Sequence, residues 1–361
     1  MEEATVHREA SSVLTEIPRV GPISYKPISP ERTRIPALNL VLFFLTLITT
    51  TMAGAYSAGA ELSLYRPIAT LAALSTGLSF SIPLMAILFA HEMGHYLTSR
   101  RNGVDSSLPY FLPAPFPSIF FIGTFGAFIR MRETPRSRRV MFDIGAAGPW
   151  AGVLLAIPCT IIGLKLSQIS PLSSQSGFSV ELGNSLMFWG IARMVLHVNP
   201  NLVNITMHPM AFAGWIGLFV TTLNLLPIGQ LDGGHVVYTL FPRAHRMISA
   251  TFVGACVLMV VVPLFLGYSF WAGWLVWAVL GVALGLGHPS TQDRDTPMDR
   301  RRTIAAWLTI ALFIGTFVPI PLSLSTPSEQ QEPQPQQVEV KYQGPAGGSS
   351  HIIDAIAIRS R

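Results

Sequence analysis

The chain has 361 residues, half of them apolar and only 12% charged, with a net charge of +5 and a mean hydropathy of +0.46. A soluble domain carries about a quarter of its residues as Asp, Glu, Lys or Arg. The composition therefore excludes an ordinary water-soluble globule, and the long apolar runs match a ~30 Å hydrocarbon layer. Cys159 and Cys256 each lie within an apolar run. That excludes a disulfide scaffold or a cysteine metal site and leaves both as small buried hydrophobes.

Residues 1–35 are polar and hold Glu2, Glu3, Glu9, Glu16 and Glu31. Such acidity argues against an organelle transit peptide, and no apolar core comes early enough for a cleaved signal. The expectation is a cytoplasmic tail followed by a retained first span, in a prokaryotic cell (inner) membrane. Apolar segments able to span as helices run near 38–58, 68–99, 143–165, 208–226, 247–267, 270–287 and 303–323. Pro83 should kink or break the second, because proline removes a backbone donor and clashes with the preceding turn. Pro319 and Pro321 interrupt the end of the last.

Residues 108–130 read differently. Four prolines fall in the ten residues from Leu108 to Pro117, and an aromatic and β-branched stretch with Gly123 and Gly126 follows. This predicts extended chain. Extended backbone at membrane depth must find its partners in protein or in a wet cavity. The alternative, an eighth helix, would reverse the side of every later loop. If the segment enters and returns on one side, the cytoplasmic face collects eighteen Lys and Arg and the opposite face six, with the N-terminus inside.

Residues 166–207 read as a polar loop with a short amphipathic stretch around Leu186 to Leu196. Residues 324–361, rich in Pro, Gln, Ser and Gly, read as a disordered tail. The expected fold class is an all-α polytopic membrane protein of about six to seven transmembrane helices, with a re-entrant, β-like segment near 108–130. Its membrane domain covers 36–323, with a core at 68–240.

The second apolar segment ends in His91-Glu92-Met93-Gly94-His95. Residues four apart share a helix face, so both imidazoles can reach one metal ion while Glu92 stands beside them to take a proton from water. By helix rise these ionisable groups sit roughly 8–14 Å short of Arg100, inside an apolar helix, where charge is expensive and usually functional. Two histidines leave a tetrahedral zinc one protein ligand short. Asp232, in Asn224-Leu-Leu-Pro227-Ile-Gly229-Gln-Leu-Asp232-Gly233-Gly234-His235, is the best third ligand. Pro227 and Gly229 should end a helix there, and Gly233 and Gly234 should turn the chain after Asp232. Asp143 is the rival carboxylate and reads as a helix cap. His235 lies near the site but one face away from a ligand position and reads as structural, with support of the site from behind as the alternative. His197, His208, His245 and His288 read as interfacial.

These residues resemble the site-2 protease family of intramembrane zinc metalloproteases. His91 to His95 match that family's HExxH. Asn224, Pro227 and Leu231-Asp232-Gly233 resemble its NxxPxxxLDG motif, and Gly148-Pro149 its GP-containing helix. The resemblance implies one zinc ion per chain on His91, His95 and Asp232, with Glu92 as the base. It implies that Asn224 positions the substrate carbonyl or its oxyanion. It also implies that Gly123, Thr124, Phe125 and Gly126 form an edge onto which an unwound substrate adds as a strand. The partners implied are membrane-spanning protein or peptide substrates and the lipid bilayer, with no nucleic acid. No PDZ-like insert shows in 166–207 and no CBS-like pair after the last span. A membrane metal-ion carrier, an inactive protease-like scaffold and a prenyl-protein peptidase are the other readings.

Overall fold

The computed structural model describes residues 36–60, 67–116, 121–171, 179–288, 291, 293 and 296–325. The polar start at 1–35 and residues 326–361 of the tail lie outside the described residues. In chain order the elements are α1 (Ala37–Ser57), α2 (Pro67–Arg101), β1 (Tyr110–Pro113), β2 (Thr124–Phe128), α3 (Arg138–Lys165), β3 (Gln168–Pro171), β4 (Ser179–Leu182), α4 (Leu186–Leu196), β5 (Val203–Thr206), α5 (Pro209–Asn224), α6 (Asp232–Leu240), α7 (His245–Leu266), α8 (Gly273–Leu284), α9 (Arg300–Thr316) and β6 (Leu322–Ser325).

Each of the seven expected apolar segments contains a helix, although the last ends at Thr316 and gives way to β6 at Leu322. Four helices are long and apolar enough to cross a membrane: Ala37–Ser57, Leu74–Arg101, Arg138–Lys165 and His245–Leu266. The helices α5, α8 and α9 are shorter, at 16, 12 and 17 residues. Large apolar side chains such as Leu154 and Phe265 stand exposed on the outer faces. Water would penalise each by roughly 1.5–3 kcal/mol, and lipid does not. The interior is built where α2, α3 and α5 meet, from Phe80, Leu84 and Ile87, Val153 and Ala156, and Ile216 and Leu218.

Several expectations need correction. Pro83 does not break α2, which continues through it as one helix, since one lost backbone bond is small against a long helix packed along its length. The fold is mostly helical rather than all-α, because three two-stranded antiparallel ladders are present among the described residues. The first is the hairpin β1–β2, paired Tyr110 to Phe128, Phe111 to Ala127 and Pro113 to Thr124, with an irregularity between Phe111 and Pro113. The prolines and the apolar stretch after them thus make extended chain, not an eighth helix. The other two ladders lie partly in the segment read as a loop. β3 pairs with β5 and β4 with β6, so the chain after α9 is sewn to the 166–207 segment. Leu324 and Ser325, expected in the tail, lie in β6. The helix α4 falls on the amphipathic stretch and is capped by Ser185, which accepts from the Phe188 amide at 3.1 Å.

Asp143 does not cap α3. Ser137 does, its hydroxyl accepting from Val140. Asp143 sits further along and accepts both branches of the Arg302 guanidinium, at 2.8 and 2.6 Å. A flat guanidinium matches a carboxylate bidentately, and no signal along the sequence pairs residues 159 positions apart. Asp299 caps α9, accepting from the Arg302 amide at 3.0 Å. That amide, together with the guanidinium, holds the exposed Asp299 carboxyl below its usual range. Arg302 therefore locks the start of α9 to α3, and Trp150 adds a second tie by donating to Thr309 at 3.0 Å. Replacing Arg302 by Met should leave the Asp143 carboxylate without its partner and lower stability by about 1–3 kcal/mol. A lower Tm in detergent, partly restored by adding Asp143→Asn, is the expected reading.

Candidate metal centre

Three elements bring the site together. The helix α2 presents His91 and His95 one turn apart, and both are buried. Asn224 ends α5, and Asp232 opens α6 after the break at Pro227 and Gly229. That break forms as expected, with Gly229 at a φ of +50°. The sharp turn expected after Asp232 does not: Gly233 and Gly234 continue into α6. Their missing side chains serve close packing instead, since a Cβ on Gly233 would lie 1.9 Å from the Leu225 carbonyl oxygen. The chain folds back on itself here, and that puts Asp232 over the α2 histidines.

His91 Nε2 and His95 Nε2 are 3.1 Å apart. Asp232 Oδ2 lies 3.1 Å from His95 Nε2 and 3.3 Å from His91 Nε2. His95 Nδ1 donates to the Ile144 carbonyl of α3 at 2.7 Å, which leaves the Nε2 lone pair facing the other two groups. Such a back-side bond fixes a ligating histidine's tautomer and orientation. Three lone-pair donors facing one point repel each other unless a cation or proton lies between them. A tetrahedral ion with ligands at about 2.0–2.1 Å needs them roughly 3.3 Å apart. The observed triangle fits that requirement, and its donor set of two imidazoles and one carboxylate leaves a fourth position open.

Glu92 is buried beside this group without being one of its three corners. Its carboxylate faces the backbone of Ile129, the residue after β2. The Asn224 amide nitrogen is 3.2 Å from His91 Nε2, at the rim of the same centre. Gly123, Thr124, Phe125 and Gly126 are in and beside β2, with the Thr124 hydroxyl donating to the Leu112 carbonyl of β1 at 2.8 Å. The hairpin approaches the centre at Ile129, whose backbone faces Glu92.

Sequence reading missed two contributors. One is the Ile144 carbonyl, which carries no side-chain signal. The other is the wall formed by Gly148, where a Cβ would stand 2.0 Å from His95 Nε2; the Gly-Pro pair marked the place but not its purpose. Of the remaining histidines, His235 hydrogen-bonds His288 through Nδ1 and Nε2 at 2.6 Å. His245 is buried beside Tyr238 at the start of α7.

Fold and site together define a helical membrane protein with a two-histidine, one-carboxylate group able to hold a metal ion. The chain belongs to peptidase family M50, whose model matches residues 79–267. It is 32% identical over 174 residues to the probable zinc metalloprotease EGY1, chloroplastic, of Oryza sativa subsp. japonica, covering 47% of this chain and 29% of that protein. It is 27% identical over 238 residues to the probable zinc metalloprotease EGY2, chloroplastic, of Arabidopsis thaliana, covering 63% of this chain and 40% of that one. A third relative, the DDT domain-containing protein PTM of Arabidopsis thaliana, is 33% identical over 125 residues, 34% of this chain and 7% of its own length. The chain thus spans well under half of these curated relatives. No solved structure matches it. Relatives named as plant chloroplast proteins lend no support to the expected prokaryotic inner membrane.

Gly148→Ala should displace His95 and empty the centre while the helices stay formed. Metal analysis of the purified variant is expected to give less than about a tenth of the wild-type content, with unchanged circular dichroism, because overpacking by one methyl costs roughly 1–3 kcal/mol and falls here on a ligand.

Proposed function

We propose that this chain is an intramembrane zinc metalloprotease that hydrolyses peptide bonds within or near the transmembrane segments of other membrane proteins. The observation that carries this reading is the convergence of His91, His95 and Asp232 beside a buried glutamate. Held by His91, His95 and Asp232, zinc would polarise the scissile carbonyl as a Lewis acid and lower the pKa of water to about 7. Glu92 takes the proton of the attacking water and passes it to the leaving amine. The Asn224 amide donates to the carbonyl oxygen as charge develops on it. An unwound stretch of substrate adds to the β1–β2 hairpin as a further strand, with its backbone bonds satisfied.

Seven helices cross the bilayer in this reading, with α5, α8 and α9 completed by the apolar residues at their ends. The arginine-rich ends of α2, α3 and α9 face the side from which water reaches the zinc. The N-terminus is on that same side. Residues 36–323 make the protease unit, and the hairpin sits at membrane depth as its re-entrant part. Burial of ionisable groups within an apolar helix supports a catalytic use.

Purified Glu92→Gln should keep about one zinc per chain and lose proteolysis by at least ~100-fold, the scale of a general base. Asp232→Asn should lose the zinc itself, by at least ~10-fold in affinity. Trapping with the Glu92→Gln form, in lipid vesicles, should recover membrane-spanning proteins. Cleavage that survives Glu92→Gln would remove Glu92 as the base. Zinc movement across vesicles without cleavage would point to a carrier instead.

A further inference from the structure

We propose that α1, which lies before the family-matched residues, positions the substrate-facing hairpin through the side chains of Thr49 and Asn39. The inference rests on the protease reading above and adds two positioning residues to it. The Thr49 hydroxyl is 2.7 Å from the Gly123 carbonyl, against 3.1 and 3.2 Å to the carbonyls of Leu45 and Thr46 in its own helix. A hydroxyl has one hydrogen to give, and the shortest contact takes it. The Asn39 amide nitrogen donates to the carbonyls of Pro109 at 2.7 Å and Leu108 at 3.1 Å. One bond therefore holds the chain just before β1 and the other just before β2.

The hairpin needs such anchors. Its strands have four and five residues and an irregular ladder, and an isolated two-stranded hairpin is at best marginally stable. Gly123 has a φ of +75°, and a Cβ there would meet the Thr49 carbonyl oxygen at 2.4 Å, so the hairpin presses directly on the α1 backbone. Phe43 of α1 adds an edge-to-face contact with Phe111 of β1, ring centres 5.2 Å apart. From the anchored Gly123, β2 leads straight to Ile129, whose backbone faces Glu92. In apolar surroundings the freed carbonyls have no water to turn to, so losing a donor shifts the edge rather than rewetting it.

The test uses the full chain in lipid vesicles, with a single-span reporter peptide that the wild type cleaves. Thr49→Val should raise KM about fivefold, the worth of one hydrogen bond, and Asn39→Leu, which removes two, by at least as much, with kcat within about twofold and zinc content unchanged in both. Thr49→Ser, which restores the hydroxyl, should restore KM. Hydrogen exchange over residues 121–129 should quicken in Thr49→Val and not in Thr49→Ser. Wild-type KM and exchange in Thr49→Val would overturn the proposal while leaving the protease standing. Equal loss in the Val and Ser variants, with loss of zinc, would overturn it as well, since that marks a general packing role. Should the wild type cleave no reporter at all, the protease reading itself fails, and the exchange measurement alone then decides whether α1 anchors the hairpin.

Discussion

Three electron-pair donors held about 3 Å apart inside an apolar bundle are an electrostatic problem, and the surrounding packing exists to hold them there. His91 and His95 share a face of α2 because of helical spacing, but their rings are aimed by contacts from α3. The Ile144 carbonyl fixes the His95 ring from behind, and the absence of a side chain at Gly148 makes room for its front. Asp232 reaches the pair only because the chain from Asn224 breaks and folds back tightly enough to exclude a Cβ at Gly233. A cation bound among the donors resolves their repulsion. The close contacts of α2, α3 and the α5–α6 corner are thus one constraint seen from four helices.

The periphery serves the same end by different means. The helix α9 is tied to α3 by the Arg302 pair at one end and by Trp150 along its length, while β6 closes onto β4 beyond it. Those ties hold α3 from outside as α2 grips it from inside. On another side of α2, α1 carries the hairpin through Thr49 and Asn39. Lipid does not drive helices together by the hydrophobic effect, so close backbone approach and side-chain hydrogen bonds supply the specificity. This explains why so many Thr, Ser and Asn side chains are buried between these helices.

Membership of peptidase family M50 rests on residues 79–267, which contain every residue of the metal centre. The hairpin lies within that span, yet its supports come from α1 outside it.

Local chemistry made much of this legible in advance. Seven apolar runs became seven helices because length and hydropathy are local quantities. The four prolines of 108–117 forbade a helix for the same local reason, and His91 and His95 were paired by a four-residue spacing. Asp232 was reachable by its rarity, as an acid beside a helix-breaking Pro and Gly in an apolar chain. Tertiary structure alone decided that Asp143 meets Arg302 instead of capping its helix, that Gly233 packs rather than turns, that α2 rides through Pro83, and that the supposed loop at 166–207 pairs with residues after α9. Each of those depends on which distant backbone arrives within a few ångströms. The amino-acid order fixes the donors and the periodicity, and only the packed chain fixes which of them face one another.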